Sequence, residues 1–354
     1  MKNILKFLIL ALAALMIVGC AKDVPKEETK VEDKKVEEKQ EAKDDKKEDK
    51  EEKKEEKSEA ATVEVEDING KLTVPFKPER VVALDNRTFQ TLYDWGIKMA
   101  ALPKDIMSPT SGYLKDDSIP NIGNHKEPNL EIIAAADPQL IIVGQRFGKY
   151  TDELKKLCPN AVVMDLNWNV TDKDGKAGEN LANGLKTSTL TLGKIFDKNE
   201  EAEKLCADFD KAIENAKAAY NKEDKVMAVV VSGGKIGFAA PGSGRVWGPM
   251  YQIFGWTPAL EIQNASTDHK GDEVSVEAIA DSNPDIIMVL DRDAATQSGK
   301  ESTPALDVIK GSEALKNVKA IVNDKIIIAP ADTYTNESIQ TYIKLFNDIA
   351  EILK

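Results

Sequence analysis

A sixteen-residue pattern occurs twice in this chain and constrains its fold more than any other feature. Residues Glu131–Arg146 (EIIAAADPQLIIVGQR) are echoed by Glu277–Arg292 (EAIADSNPDIIMVLDR). In each copy a helical spacing runs into a proline turn, a continuous aliphatic run follows, and an arginine stands at the same distance from the proline. Proline closes the helix, and an uninterrupted aliphatic run suits a strand buried on both faces, as in parallel sheets. A second echo pairs Thr88–Gly96 with Val246–Gly255, each a helical stretch closed by glycine and preceded by Arg87 or Arg245. Two matches in the same order predict two similarly built lobes.

Short aliphatic runs alternating with helical patterns place the chain in the α/β class. The strand candidates of the first half are Arg80–Asp85, Ile97–Leu102, Gln139–Gly144 and Ala161–Leu166. Those of the second are Val226–Val231, Pro258–Ile262, Asp285–Leu290 and Lys325–Ala329, and Val226–Ala240 also reads as a hairpin about Gly233-Gly234. Between them, 199–220 carries a helical stripe of Leu205, Phe209, Ile213 and Ala216. The expected architecture is two Rossmann-like lobes with mostly parallel sheets, 62–198 and 223–354, joined by one long α-helix at 199–222. A ligand cleft is expected between them.

The first sixty residues carry a different message. Lys2 and Lys6 precede an uncharged apolar run, Phe7–Val18, too short to span a bilayer comfortably and suited to the core of a signal peptide over 1–19. It ends in Ile17-Val18-Gly19-Cys20, which resembles the lipobox of bacterial lipoproteins. That resemblance implies lipidation at Cys20, which would anchor the protein to a membrane without spanning it. A secreted protein cleaved elsewhere is the alternative. Residues 21–61 hold 13 Lys against 17 acidic side chains and almost nothing apolar. Such a segment buries too little surface to offset its ordering entropy, so 20–61 is expected to be a disordered, solvated tether.

The chain has 43 lysines but only five arginines, Arg80, Arg87, Arg146, Arg245 and Arg292. Arg80 opens the first strand and reads as structural. Each of the other four follows a strand or hairpin, where open α/β sheets place ligand-contacting loops, and two come from each half. A guanidinium offers a planar fork to carboxylate, phosphate or phenolate oxygens and stacks on aromatic rings. The four together predict an anion held between the lobes. The plainer alternative is ordinary ion pairing, with Asp85, Asp291 and Asp293 near enough in sequence to serve. Trp168 and Tyr334, in loops directly after strands, are candidates for a ligand wall, while Trp256 reads as core.

Arg80–Leu92, Gly123–Glu131 with its Glu-Pro-Asn, the hairpin 234–241, Arg245–Ala259 and Ser266–Glu277 together resemble iron-siderophore substrate-binding lipoproteins of bacterial ABC importers. The likeness is closest to the catecholate-siderophore binders that also accept petrobactin-like ligands, and it covers essentially the whole folded part. It implies a positive floor made by Arg146, Arg245 and Arg292 for an anionic ferric siderophore. It also implies that His269 and Tyr334 complete the iron coordination of siderophores with four donor atoms. Asp268 departs from the family pattern, in which the histidine directly follows Ser-Thr. Arg87 departs too, standing where relatives carry a small residue; it either adds a fourth positive group or pairs with Asp85. His125 is expected at the rim. The resemblance further implies delivery to a transporter permease, a monomer, and a place on the extracytoplasmic face of the cell membrane, that of a Gram-positive bacterium. Haem or a corrinoid in the same fold is the alternative ligand.

Other classes find little support. The net charge of −13 argues against nucleic acid as a partner. Two histidines, His125 and His269, nearly exclude a metal site of several imidazoles and leave few catalytic options. There is no Gly-x-Ser-x-Gly elbow and no phosphate loop, so neither an enzyme nor a permanent cofactor is expected. Cys158 and Cys206 are expected to be buried free thiols.

Overall fold

The computed structural model describes residues 61–170, 175–296 and 302–354. The expected signal peptide, Cys20 and the tether up to residue 60 lie outside the described residues. Among the described residues no helix is long and apolar enough to cross a membrane.

The first half runs through β1 (Thr62–Asp67), β2 (Gly70–Pro75), β3 (Val81–Ala83), α1 (Phe89–Asp94), β4 (Met99–Ala101), α2 (Leu130–Ala135), β5 (Leu140–Val143), α3 (Thr151–Leu157) and β6 (Val162–Asp165). Two long helices follow, α4 (Ala177–Phe196) and α5 (Asn199–Ala219). The second half comprises β7 (Lys225–Ser232), β8 (Lys235–Phe238), α6 (Gly248–Phe254), β9 (Thr257–Pro258), α7 (Val276–Ser282), β10 (Ile286–Asp291), α8 (Arg292–Thr296), α9 (Ala305–Lys310), α10 (Lys319–Val322), β11 (Ile326–Ile328), α11 (Thr333–Asn336) and α12 (Ile339–Ile352).

Two sheets result. The first is wholly parallel, in the order β4-β3-β5-β6. In the second, β11, β10 and β7 lie side by side in parallel, and the expected hairpin forms as β7–β8. All four residues of β5 and five of the six in β10 are buried, as the aliphatic runs required. The echo extends to the backbone. Asp137 and Asn283, each just before the proline, both adopt the left-handed conformation with φ of 43°, which Asp and Asn tolerate better than most residues. Arg80 clasps the first of these turns, donating from Nε to the Asp137 carbonyl and from Nη2 to its carboxylate.

Three features differ from expectation. Of residues 258–262 only Pro258 is in a strand, as the end of the two-residue β9, because β8 occupies that edge of β7 from Val229 onward. The antiparallel pair β1–β2 was not anticipated; it lies against β6, where Asp67 accepts from the Asp165 amide at 2.9 Å. The helix that crosses between the lobes is α4 rather than 199–222. Leu181 and Leu185 of α4 belong to the second-lobe core, whereas Leu192, Ile195 and Phe196 belong to the first. The stripe expected on 199–220 is real, but its buried residues join one core only, with Phe209 packed 5.7 Å from Phe346 of α12. Glycines let α4 be approached closely. A Cβ at Gly184 would lie 2.8 Å from Trp168, and one at Gly193 would lie 2.7 Å from Ala202 of α5.

Candidate functional site

Between the two sheets lies a cleft of about 460 Å³. The first lobe lines it with Asp105, Ile106, Met107, Pro109, His125, Lys126 and Arg146, and the second with Arg245, His269, Arg292, Ala295, Thr296, Tyr334 and Thr335. Three of the four expected arginines, both histidines and Tyr334 are thus brought to one place from positions up to about 210 residues apart.

Tyr334 is the centre of the charged floor. It is buried in α11, with the Arg245 guanidinium 4.5 Å and the Arg292 guanidinium 5.5 Å from its ring centroid. Arg292 Nε donates to the phenol oxygen at 3.1 Å, and Arg292 Nη1 donates to Ser232 Oγ at 3.1 Å. Arg292 sits here because β10 ends at Asp291. Asp291 and Asp293 do not pair with it. Asp291 accepts from the backbone amides of Ala294 and Ala305, and Asp293 from those of Gly233 and Gly234.

Arg245 leaves a turn that bonds mainly to itself. The Gly244 amide donates to the Ala240 carbonyl at 2.8 Å and the Gly248 amide to the Gly244 carbonyl at 2.7 Å. A Cβ at Gly244 would lie 2.5 Å from the Ala239 carbonyl carbon, so only glycine fits. The next residue but one, Val246, is β-branched yet has φ of 64°, a conformation costing of order 1–3 kcal/mol and held by its surroundings. Arg245 donates from Nη2 to the Tyr334 carbonyl at 3.1 Å and forms an ion pair with Glu337.

Arg146 follows β5 in the first lobe. Its pKa is pushed down by burial and by the neighbouring Arg245 cation. Its Nε, like that of Arg245, is buried with no hydrogen-bond partner among the described residues. A desolvated guanidinium N–H facing a cleft is a group an anionic oxygen would satisfy.

His269 lies on the cleft wall with its side chain about half exposed and Nδ1 3.8 Å from Asp268. Burial, then the Arg292 cation, push its pKa down, which favours the neutral imidazole and its lone pair. His125, expected only at the rim, faces the cleft. The Tyr150 hydroxyl donates to the Lys126 and His125 carbonyls and so holds its turn. Burial and the Arg146 cation push the His125 pKa down as well.

Two expected site residues lie elsewhere. Arg87 is 8% exposed, makes three contacts of 3.2–3.3 Å with the Asp85 carboxylate, and donates to the Leu166 carbonyl at 2.8 Å. Burial lowers its pKa, but the Asp85 carboxylate, with smaller help from Glu337 and Tyr342, offsets this and leaves it raised. The pairing alternative therefore holds for Arg87, and Gly144 makes room for it, since a Cβ there would lie 2.2 Å from Asp85 Cγ. Trp168 packs over Gly184 of α4 and donates from Nε1 to Ser188 Oγ, bordering a residual cavity of about 10 Å³ with Arg87. The void between Arg87 and Trp168 is far too small for a ligand. Trp256 is core as expected, and Cys158 and Cys206 are buried free thiols. Glu337, which sequence reasoning did not single out, is the carboxylate that touches the floor.

Two like-built lobes with a cleft between them are the arrangement of a solute-binding protein, and the family model for periplasmic binding proteins matches residues 81–333. The chain belongs to the periplasmic binding protein family. It is 30% identical over 271 residues to the petrobactin-binding protein YclQ of Bacillus subtilis, covering 76% of this chain and 79% of YclQ. It is 27% identical over 292 residues to the ferric-anguibactin-binding protein FatB of Vibrio anguillarum, covering 81% and 86%. Among solved structures, the siderophore-binding protein BauB, bound to two molecules of acinetobactin and ferric iron, superposes with a TM-score of 0.71 at 25% identity, covering 83% of this chain and 99% of that one. These relatives of this periplasmic binding protein are substrate-binding proteins, not enzymes.

Proposed function

We propose that this periplasmic binding protein captures a ferric catecholate-type siderophore in its interlobe cleft and delivers it to the permease of an ABC importer for iron uptake. The observation that carries the reading is the convergence of Arg146, Arg245 and Arg292, from both lobes, on one cleft whose centre is Tyr334. Catecholate ligands present anionic oxygens on flat aromatic rings, and guanidinium groups hydrogen-bond to the first and stack on the second. The names of the relatives support iron-complex binding. Ferric iron is a hard cation suited to phenolate oxygen and tolerant of imidazole, so Tyr334 and a neutral His269 are the proposed protein donors to siderophores that leave two iron positions open. Haem would want a deep apolar slot, whereas Ile106, Met107, Pro109 and Ala295 are scattered among charged groups here. The periplasmic binding protein would act as a monomer on the extracytoplasmic face of the cell membrane, held there by lipid on Cys20.

Titration of the purified protein with a ferric bis-catecholate, a ferric hydroxamate and haem, followed by tryptophan fluorescence, tests this. Saturable quenching by the catecholate at nanomolar to low-micromolar concentration is expected, with the other two weak. Tight binding of haem alone would replace the ligand, and binding of none would remove the siderophore from the reading.

A further inference from the structure

Glu337 is an anomaly in a site built to attract anions. It is buried, yet it carries a negative charge into the arginine floor, paired to Arg245. It also occupies a backbone slot that suits it poorly. At the end of α11 its φ is 48° and its ψ 30°, left-handed values that favour Gly or Asn. Neither burial nor backbone preference explains a glutamate here, and strain of this kind persists at functional positions. Its field reaches beyond Arg245. The guanidinium of Arg146 feels it across the cleft, and burial together with this carboxylate pushes the Tyr342 pKa up.

We propose that Glu337 is the charge-selecting residue of the cleft: it fixes the Arg245 guanidinium and cancels one positive charge, so that weakly anionic ferric complexes bind in preference to trianionic ones. This rests on the ferric-siderophore reading and deepens it. A ferric bis-catecholate carries a single net negative charge and a ferric tris-catecholate three, so one carboxylate near the floor penalises the second about three times as strongly. Glu337 acts through Arg245 and through its field; it is a positioning and selectivity residue, not an iron ligand.

The test compares wild type with Glu337→Gln and Glu337→Asn, each checked first by thermal melting. Asn tolerates the left-handed backbone, so it keeps the experiment alive if the Gln variant folds poorly. The readout is the ratio of dissociation constants for the two ferric complexes, because loss of Arg245 positioning alone would weaken the tris-catecholate more and move the ratio the other way. A unit charge several ångströms away in a partly solvated cleft is worth roughly three- to fourfold per unit of ligand charge. The ratio should therefore move about tenfold toward the tris-catecholate. A ratio unchanged within about twofold in both variants would overturn the proposal. If wild type bound no ferric complex, the functional reading would fall on its own. Pyrophosphate and phosphate, compared by their stabilisation of the iron-free protein, would then decide the role of Glu337. A larger gain for pyrophosphate in the variants supports it, and an equal response sinks it.

Discussion

Replacing Arg87 with Ala separates a structural arginine from a ligand-binding one. The Asp85 side chain is 2% exposed and that of Arg87 is 8% exposed, so the substitution strands a desolvated carboxylate. Removing one partner of a buried ion pair costs about 3–5 kcal/mol. Asp85 would keep its bond from the backbone amide of residue 87, which points to the lower end. The close approach of Asp85 to Gly144 leaves it little room to swing toward water. For a domain of this size each kcal/mol lowers Tm by about 2–4 °C, so Arg87→Ala should melt roughly 6–12 °C below wild type. Calorimetry or circular dichroism would measure this. Affinity for a ferric bis-catecholate, measured where the variant is folded, should stay within about twofold because Arg87 does not line the cleft. A melting point within about 2 °C of wild type together with a large loss of affinity would refute the argument and return Arg87 to the ligand site. The double variant Asp85→Asn/Arg87→Leu should recover part of the lost stability, since it leaves no charge behind.

Arg146→Ala should weaken an anionic ferric complex by about 1.5–3 kcal/mol, the range for a hydrogen bond to a charged group, while melting within a few degrees of wild type; isothermal titration checks the affinity and a thermal melt the stability. Tyr334→Phe removes the phenol oxygen, so the phenolate contribution to the visible charge-transfer absorption of a bound four-donor ferric complex should be lost and the band should shift, the catecholate-to-iron absorption remaining. Four-donor siderophores should weaken more than six-donor ones, and an unchanged spectrum would take Tyr334 off the iron. The His269 pKa is depressed in the folded protein, so its protonation is displaced to lower pH from the ordinary histidine range. Its contribution to stability and to iron binding is therefore present above that range and lost as pH falls through the lowered value. Affinity for a four-donor ferric complex should drop more steeply between pH 7 and 5 in wild type than in His269→Gln, with siderophore protonation common to both.

Much of this architecture was legible because it rests on local pattern. The repeated helix-proline-strand units became α2–β5 and α7–β10, and the aliphatic runs became buried parallel strands. Arg146, Arg245 and Arg292 could be placed at one cleft because each follows a strand or hairpin end in a chain that otherwise uses lysine. What escaped depended on long-range partners. The stripe on 199–220 had the right period, but whether a helix faces one core or two is decided by what packs on it. The pair β1–β2 was hidden by strands whose exposed positions are polar. Trp168 sits after a strand as a ligand wall would, yet Gly184, sixteen residues later, gives it a seat on α4. Glu337 left no signal, being one of 61 acidic residues whose importance lies in its fold neighbours and its backbone angle.

The glycines of α4 carry a consequence for how the protein unfolds. Each glycine inside a helix costs roughly 0.5–1 kcal/mol relative to alanine, and α4 contains Gly178, Gly184 and Gly193. On its own this segment is a weak helix. It is completed by the side chains that press into those gaps, Trp168 from one lobe and α5 and α6 from the other. A helix so dependent on both sides should exchange its amide hydrogens only when the whole domain opens. Neither lobe should then survive proteolytic separation from the other.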